Sequence, residues 1–324
     1  MKMKKIAAIV FSAMMMLNMG TAVFAEGIQD VQDIQPTIKK TYQVNHGTAP
    51  AETFTYNFVP VSYTNGDGET VAGAEIPAIA PVTIAFDQAI SETTVKEVDV
   101  PINVANYQLG TYTYNVSEAS GNTAGVSYSE ENLYLVLTII RDEDSNKHYV
   151  AALHYEDANG SKTDNDLTNN YDSGSLTVTK HIAGNMAEMS KKFAFTISFA
   201  NPAGREIKSA ISTDATSGTW SADGLTYTID LGNNESVKFD NIPAGVSYTV
   251  SEDSENYTSD KTDDKVQGDI AASDADTVSF TNTLTNGTID TGINLDSMPY
   301  IMILCLVAVC AVVLFVRKRT SANR

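Results

Sequence analysis

The sequence predicts an all-β protein made of two tandem β-sandwiches. Short segments rich in Thr, Val, Tyr and Phe alternate between polar and apolar residues, which is the period of a half-buried strand. Turn signals such as the Asn-Gly pairs at positions 65–66 and 159–160 separate these segments, and long amphipathic helical patterns are scarce. Regularly spaced short strands with turns of this kind are typical of sandwiches.

An internal repeat divides the chain into two units. We place the boundary near residues 171–174, which predicts domains at 26–172 and 173–285. The linker is so short that the domains are expected to stand end to end with little freedom. Three segments of the first unit recur in order in the second: residues 36–40 as 176–180, residues 110–118 as 245–252 with one residue dropped, and residues 167–169 as 280–282.

Each unit carries a lysine, a glutamate and an asparagine on the apolar face of its strands. Strand side chains alternate with period two, so each of these polar residues points where its apolar neighbours point. Parity selects Lys40 over Lys39 and Asn169 over Asn170. Burial can shift the pKa of a Lys or Glu by up to about 3–5 units, so an unpaired charge here is costly. The two trios are Lys40, Glu118 and Asn169, and Lys180, Glu252 and Asn282.

These three residue types can form a covalent crosslink. An apolar site lowers the pKa of the lysine, which makes its amine a neutral nucleophile. Burial raises the pKa of the glutamate, so its protonated carboxyl can donate a hydrogen bond to the asparagine carbonyl and then shuttle protons. The amine attacks that carbonyl, ammonia leaves, and an amide joins the two strands. The site turns over once, so we expect no enzyme in the ordinary sense.

The order of the trio within each unit predicts which strands are neighbours. The lysine lies near the start of its unit and the asparagine near the end, so the first and last strands are expected to run side by side. Each residue alone has an ordinary explanation: a lysine at a strand end, a glutamate at a solvated strand terminus, or an asparagine that caps a turn. Six such residues in matched order favour the crosslinks.

Both ends of the chain carry targeting signals. Residues 1–25 combine early lysines, a short apolar core and a small-residue cleavage site, which predicts a secretory signal peptide. Residues 298–316 are almost wholly apolar and are followed by Arg317, Lys318 and Arg319. Such a run can span a bilayer, and the basic tail keeps the C-terminus in the cytoplasm. Taken alone, this segment is a single-pass anchor.

Composition narrows the function classes. The cysteines, Cys305 and Cys310, lie inside the apolar run, so no disulfide braces the exported region. A formal net charge of -19 argues against nucleic acid as a partner. The sequence has no Gly-x-Ser-x-Gly motif and no cluster with metal-ligand spacing, and His148 and His154 have no convincing partners. We therefore expect neither a cofactor nor a metal.

The C-terminal region, residues 286–324, resembles the cell-wall sorting signal of Gram-positive bacteria. Its motif Thr288-Ile289-Asp290-Thr291-Gly292 precedes the apolar run and the basic tail. Sortases cleave such signals between the Thr and the Gly and pass the acyl group to an amine, which implies Thr291 as donor and Gly292 in the leaving segment. Thr288 and Ile289 replace the usual Leu-Pro. A simple membrane anchor is the alternative.

From about Pro36 to its C-terminus the chain resembles the backbone pilins of Gram-positive sortase-assembled pili. Their two domains are immunoglobulin-like sandwiches of the collagen-adhesin B (CnaB) type, and residues 239–245 resemble that domain's signature. The resemblance implies isopeptide bonds within each domain. It assigns them to Lys40–Asn169 with Glu118, and to Lys180–Asn282 with Glu252.

The same resemblance implies an acceptor lysine for joining subunits. Lys162 lies at the matching distance before Asn169, and Lys39, Lys191 and Lys192 are rivals. The expected function is therefore a shaft subunit linked head to tail by sortase, on the cell surface or anchored to the wall. Its partners would be sortase, other copies of itself, and peptidoglycan or accessory pilins. The alternative is a monomeric wall-anchored adhesin that binds a host or matrix ligand.

Overall fold

The computed structural model describes residues 34–142, 146–201, 204–261 and 266–285. The expected signal peptide (1–25), the donor pair Thr291-Gly292, the apolar run 298–316 and both cysteines lie outside the described residues. No helix in the described ranges is long and apolar enough to cross a membrane.

The first half of the described chain forms two sheets that face each other. One has the strand order β4-β1-β10-β6 and the other the order β3-β2-β5-β7-β8-β9. A 3₁₀ turn occupies Val104–Asn106. The strands are β1 (Thr37–Val44), β2 (Glu52–Asn65), β3 (Val82–Phe86), β4 (Thr94–Asp99), β5 (Gly110–Glu118), β6 (Val126–Ser127), β7 (Asn132–Arg141), β8 (His148–Glu156), β9 (Lys162–Thr163) and β10 (Asp166–Tyr171).

The second half repeats this arrangement with two five-stranded sheets. Their strand orders are β13-β16-β11-β20-β18 and β14-β15-β12-β17-β19. The strands are β11 (Ser173–Ala183), β12 (Phe193–Ala200), β13 (Ser212–Thr213), β14 (Thr219–Trp220), β15 (Thr226–Leu231), β16 (Ser236–Pro243), β17 (Ser247–Glu252), β18 (Thr258–Lys261), β19 (Gln267–Asp269) and β20 (Ala275–Thr283). The nearly all-β architecture confirms the predicted fold class.

In each half the first and last strands are parallel neighbours, as the order of the trios predicted. β1 pairs with β10, with Tyr42 opposite Asn169. β11 pairs with β20, with Ile182 opposite Asn282. The lysine of each trio therefore lies two residues before the position opposite its asparagine, on the same face of the sheet.

Each half encloses its own hydrophobic core between its two sheets. In the first, the rings of Tyr42, Phe54 and Phe86 meet edge to face with centroids 5.2–5.7 Å apart. In the second, Phe195 meets Phe280 in the same way at 5.1 Å. Such edge-to-face pairs add to the stabilisation from burial alone, and the trios lie among these rings.

The two halves are joined by Asp172 and by hydrogen bonds between loops. Asn241 accepts a hydrogen bond from the backbone N–H of Thr48 at 2.8 Å and donates to the Thr48 carbonyl at 3.2 Å. The amine of Lys208 lies 3.2 Å from a carboxylate oxygen of Glu52. Because the Asn241 side chain both accepts from and donates to the Thr48 backbone, these contacts fix the orientation of one half relative to the other.

Candidate functional site

The first trio brings two sheets together at one carboxylate. Lys40 on β1 and Asn169 on β10 belong to the four-stranded sheet, whereas Glu118 ends β5 in the facing sheet. Lys40 Nζ donates to Glu118 Oε2 at 2.6 Å, and Asn169 Nδ2 donates to Glu118 Oε1 at 2.5 Å. All three side chains are fully buried. The amine and the carboxamide that would react are thus held by the same group.

The orientation of the Asn169 carboxamide differs from the expectation. Its carbonyl oxygen accepts a hydrogen bond from the backbone N–H of Ser129 at 2.7 Å. A backbone N–H can only donate, so it fixes the oxygen on the Ser129 side and the nitrogen on the Glu118 side. The expected hydrogen bond from Glu118 to the carbonyl oxygen is therefore wrong for this site, because Glu118 contacts the carboxamide nitrogen instead.

The second trio has the same plan with different detail. Lys180 Nζ lies 2.6 Å from Glu252 Oε1, outside the angular range of a hydrogen bond, and Asn282 Nδ2 donates to the same oxygen at 3.0 Å. The other carboxylate oxygen accepts from the hydroxyl of Ser259, also at 3.0 Å. The carbonyl oxygen of Asn282 is buried with no hydrogen-bond partner among the described residues.

Each of the two amines lies over an aromatic ring, and neither lysine side chain is exposed to solvent. Lys40 Nζ lies 4.6 Å from the ring centroid of Phe54, and Lys180 Nζ lies 4.4 Å from that of Phe193. Burial lowers the pKa of both lysines below their ordinary value, and the neighbouring glutamate only partly opposes this effect. A lowered pKa makes the neutral amine, the nucleophilic form, easier to reach.

Lys39, which the strand alternation excluded from the trio, lies on the opposite face of β1 from Lys40. Lys39 is about one-third exposed, and its amine lies 3.5 Å from Asp166 and 3.7 Å from Asp164. Its side chain is thus solvated and paired with acidic groups, whereas Lys40 is in the core.

Lys162 lies at the end of the molecule away from the joint between the halves. It is exposed on β9 and lines an open groove of about 300 Å³ together with Ile34, Thr37 and Leu153. Its rivals Lys191 and Lys192 pair with Glu255 and Glu235 and lie beyond the end of β11, in the second half. Thr291 and Gly292 lie outside the described residues.

The histidines do not form a metal centre with one another. His148 contacts the carbonyl of Tyr107 at 2.8 Å, and His154 contacts Glu156 at 2.8 Å. They lie six positions apart on β8, which is roughly 20 Å along the strand. Within the ranges that the structure describes, no group of three or more His, Cys, Asp and Glu could hold a metal ion.

Two partners of the trios could not be found from the sequence. The Ser129 contact is made by a backbone N–H, which every residue except proline has, so residue type carries no signal. Ser259 lies on β18 directly opposite Asn282 on β20, and this pairing depends on strand order. Ser259 lies in a polar segment of the sequence, so nothing in that segment indicated that it contacts the trio.

The chain is similar in sequence and in fold to streptococcal pilins. The chain is 28% identical over 328 residues to a pilin of Streptococcus pyogenes serotype M1, covering 93% of this chain and 95% of the relative. It matches the crystal structure of the major pilin from Streptococcus pyogenes with a TM-score of 0.55 and 25% identity, over 79% of this chain and all of that one. Sequence and fold together support a pilin of this type.

Two further matches concern parts of this pilin-like chain. A family model described as a domain of unknown function (DUF7601) matches residues 174–284, which is most of the second half. The fold also matches a second Streptococcus pyogenes major pilin, T3.2, with a TM-score of 0.54 and 20% identity, over 78% of this chain and 98% of that one. At 20% identity this last match speaks for the fold alone.

Proposed function

We propose that this chain is a structural subunit of a covalently polymerised cell-surface pilus. Its two domains, residues 26–172 and 173–285, would each be closed by a Lys–Asn isopeptide bond. The bonds are Lys40–Asn169, assisted by Glu118, and Lys180–Asn282, assisted by Glu252. Sortase would then join Thr291 of one subunit to Lys162 of the next.

One observation carries the proposal: a buried lysine and a buried asparagine share one glutamate, twice, at matching places in two sandwiches. An ion pair in the core is a weak source of stability, since desolvation offsets most of the attraction. Conversion of the amine to an amide removes that charge. Positioning of the reactants can supply up to about 7–11 kcal/mol towards such a barrier, and the shared carboxylate and the paired strands offer positioning of this kind.

The crosslinks suit a shaft that bears tension. β1 and β10, and likewise β11 and β20, are the first and last strands of their sandwiches and lie side by side. A bond between them passes force from one end of the domain to the other without loading the inner strands. By analogy with a disulfide that closes a loop of about 100 residues, each bond also adds roughly 4–5 kcal/mol.

The positions of Lys162 and of the chain exit at opposite ends of the molecule support head-to-tail joining. β1 begins beside the Lys162 groove and runs towards the joint, where Thr48 meets Asn241. β11 begins at the joint and ends at Ala183, whose carbonyl accepts from the N–H of Leu284 at 3.0 Å. The acceptor lysine and the exit of the chain are therefore at opposite ends. Seven further residues, about 25 Å when extended, reach Thr291.

This function implies export, sortase, and other copies of the chain as partners. Peptidoglycan or accessory pilins would receive the base of the fibre. The mass of the intact mature chain tests the crosslinks: two bonds leave it lighter by two ammonias. A chain of full calculated mass would refute both bonds.

A further inference from the structure

The donor that holds the Asn169 carbonyl comes from outside the trio. Ser129 follows β6, which pairs with β10 through Asn170 and Tyr171. Beyond that pairing, the backbone N–H of Ser129 points at the Asn169 side chain, 2.7 Å from its oxygen. The neighbouring Tyr128 is anchored, because its hydroxyl accepts from the backbone N–H of Thr123 at 3.1 Å. The N–H is thus held in place before any reaction.

We propose that the backbone N–H of Ser129 is the oxyanion donor for crosslinking at Asn169, while Glu118 moves protons only between Lys40 and the departing amine. This inference rests on the proposed Lys40–Asn169 bond. Preorganised backbone donors aimed at a developing negative charge are among the largest contributions to acyl transfer. The geometry separates two tasks that a single carboxyl would otherwise share.

The reaction balances with these groups alone. Glu118 takes a proton from the Lys40 ammonium across their 2.6 Å contact. The neutral amine attacks Cγ of Asn169, and the carbonyl electron pair moves to the oxygen. The Ser129 N–H stabilises the negative charge there by a hydrogen bond. Glu118 gives its proton to Nδ2, across a 2.5 Å contact, and takes one from the attacking nitrogen. The C–N bond breaks, the carbonyl reforms, ammonia leaves, and Glu118 remains protonated.

The second site provides an internal comparison. Its glutamate also contacts the carboxamide nitrogen, but the carbonyl oxygen of Asn282 has no donor among the described residues. The Ser129 N–H therefore acts on one crosslink and leaves the other untouched. Any change that affects folding or synthesis of the whole chain will alter both bonds, whereas loss of this donor will alter only the first.

The test removes the N–H and keeps the rest of the chain. The full chain is made by cell-free synthesis with the serine amide at position 129 replaced by an ester. Digests taken over time give the linked fraction of the Lys40–Asn169 and Lys180–Asn282 peptides. We expect the first crosslink to form about 10²–10³ times more slowly and the second at its normal rate. Ser129→Ala, which keeps the N–H, should form both normally.

Each other outcome has a defined meaning. If the ester chain forms the first crosslink at the unmodified rate, the inference is wrong while the proposed function stands. Equal slowing by Ser129→Ala would assign the effect to the side chain and also overturn it. If the unmodified chain never links Lys40 to Asn169, the proposed function itself fails. Ser129→Pro removes the same N–H by other means and replaces the ester chain if that chain does not fold.

Discussion

The Nζ atom of Lys40 lies 2.6 Å from Oε2 of Glu118, and neither side chain is reached by solvent. Loss of one partner from such a pair leaves an uncompensated charge in the core, at a cost of about 3–5 kcal/mol. In the proposed crosslinking, the same contact would carry the proton transfer that makes the amine a nucleophile. Stability and the proposed crosslink at this site would therefore depend on one carboxylate.

Glu118→Ala is expected to abolish the first crosslink and leave the second intact. The mature chain should fall short of its own calculated mass by one ammonia instead of two, and the first domain should lose roughly 4–5 kcal/mol of loop-closure stabilisation in addition to the cost of the unpaired lysine. Intact mass and peptide mapping measure the bond, and thermal unfolding measures the stability.

Two controls accompany this change. Glu252→Ala should remove only the second crosslink, by the same reasoning. Glu92→Ala alters an exposed glutamate of the first domain and should leave the mass deficit of two ammonias unchanged. Continued loss of both ammonias in the Glu118→Ala chain would contradict the assigned role of Glu118.

An uncrosslinked first domain should become more stable as the pH rises. In Asn169→Ala the lysine stays a free amine, and burial holds the pKa of Lys40 below the 10.5 of an exposed lysine. Between the two values the unfolded chain binds more protons than the folded one, so stability increases with pH. The slope approaches about 1.4 kcal/mol per pH unit, and the gain is lost as the pH falls through the lowered pKa.

Urea denaturation at a series of pH values below the ordinary tyrosine pKa of 10.0 measures this slope. The double variant Lys40→Met/Asn169→Ala lacks the amine and should lack its part of the slope. Identical pH profiles for the two chains would show that Lys40 does not titrate differently on folding.

Much of the fold followed from alternation alone. Residues 193–199 alternate between large apolar and smaller or polar side chains, and they lie within β12 (Phe193–Ala200). The same alternation runs through β3 (Val82–Phe86), which begins directly after Pro81, a residue with no N–H to donate to a ladder. Alternation does not encode which strands are neighbours. Only the repeated trio indicated that β1 and β10 are adjacent.

The site was predictable to the level of side-chain direction. The alternation of side chains along the strands correctly predicted that Lys40 and Asn169 are buried and that Lys39 is partly exposed. It could not predict how the carboxamide is turned, because the group that turns it is the backbone N–H of Ser129. A main-chain donor depends on the path of the chain after β6, and residue types do not record that path. For this reason the expected contact between Glu118 and the carbonyl oxygen was wrong, and Glu118 meets the carboxamide nitrogen.

Tyr42→Phe is expected to stabilise the first domain by up to about 1 kcal/mol. The Tyr42 hydroxyl is buried with no hydrogen-bond partner among the described residues, and such a group costs about 1–3 kcal/mol. Its ring contacts with Phe54 and Phe86 survive the change. Chemical denaturation of the purified chain measures the difference.

Tyr114→Phe is the matched control. The Tyr114 hydroxyl donates to the carbonyl of Pro77 at 2.7 Å and accepts from the Tyr107 hydroxyl at 3.0 Å, so its removal should destabilise the same domain by about 1 kcal/mol. If both changes shift stability in the same direction, hydrogen bonding of the hydroxyls does not decide their effect.

Lys162→Ala should eliminate the high-mass ladders of linked subunits on denaturing gels of cell-wall extracts. Lys162 lies at the end opposite the chain exit, whereas Lys191 and Lys192 lie beyond β11, beside the loop that contacts Leu284. A fibre joined head to tail needs the acceptor at the far end, so Lys191→Ala and Lys192→Ala should leave the ladders intact. Lys39 lies at the same end as Lys162, and its amine is close to Asp164 and Asp166. With Lys162 as the acceptor, the Lys39→Ala chain should still polymerise. Loss of the ladders only in Lys39→Ala would move the acceptor to that residue. The absence of ladders from the unmodified chain would instead favour a monomeric adhesin.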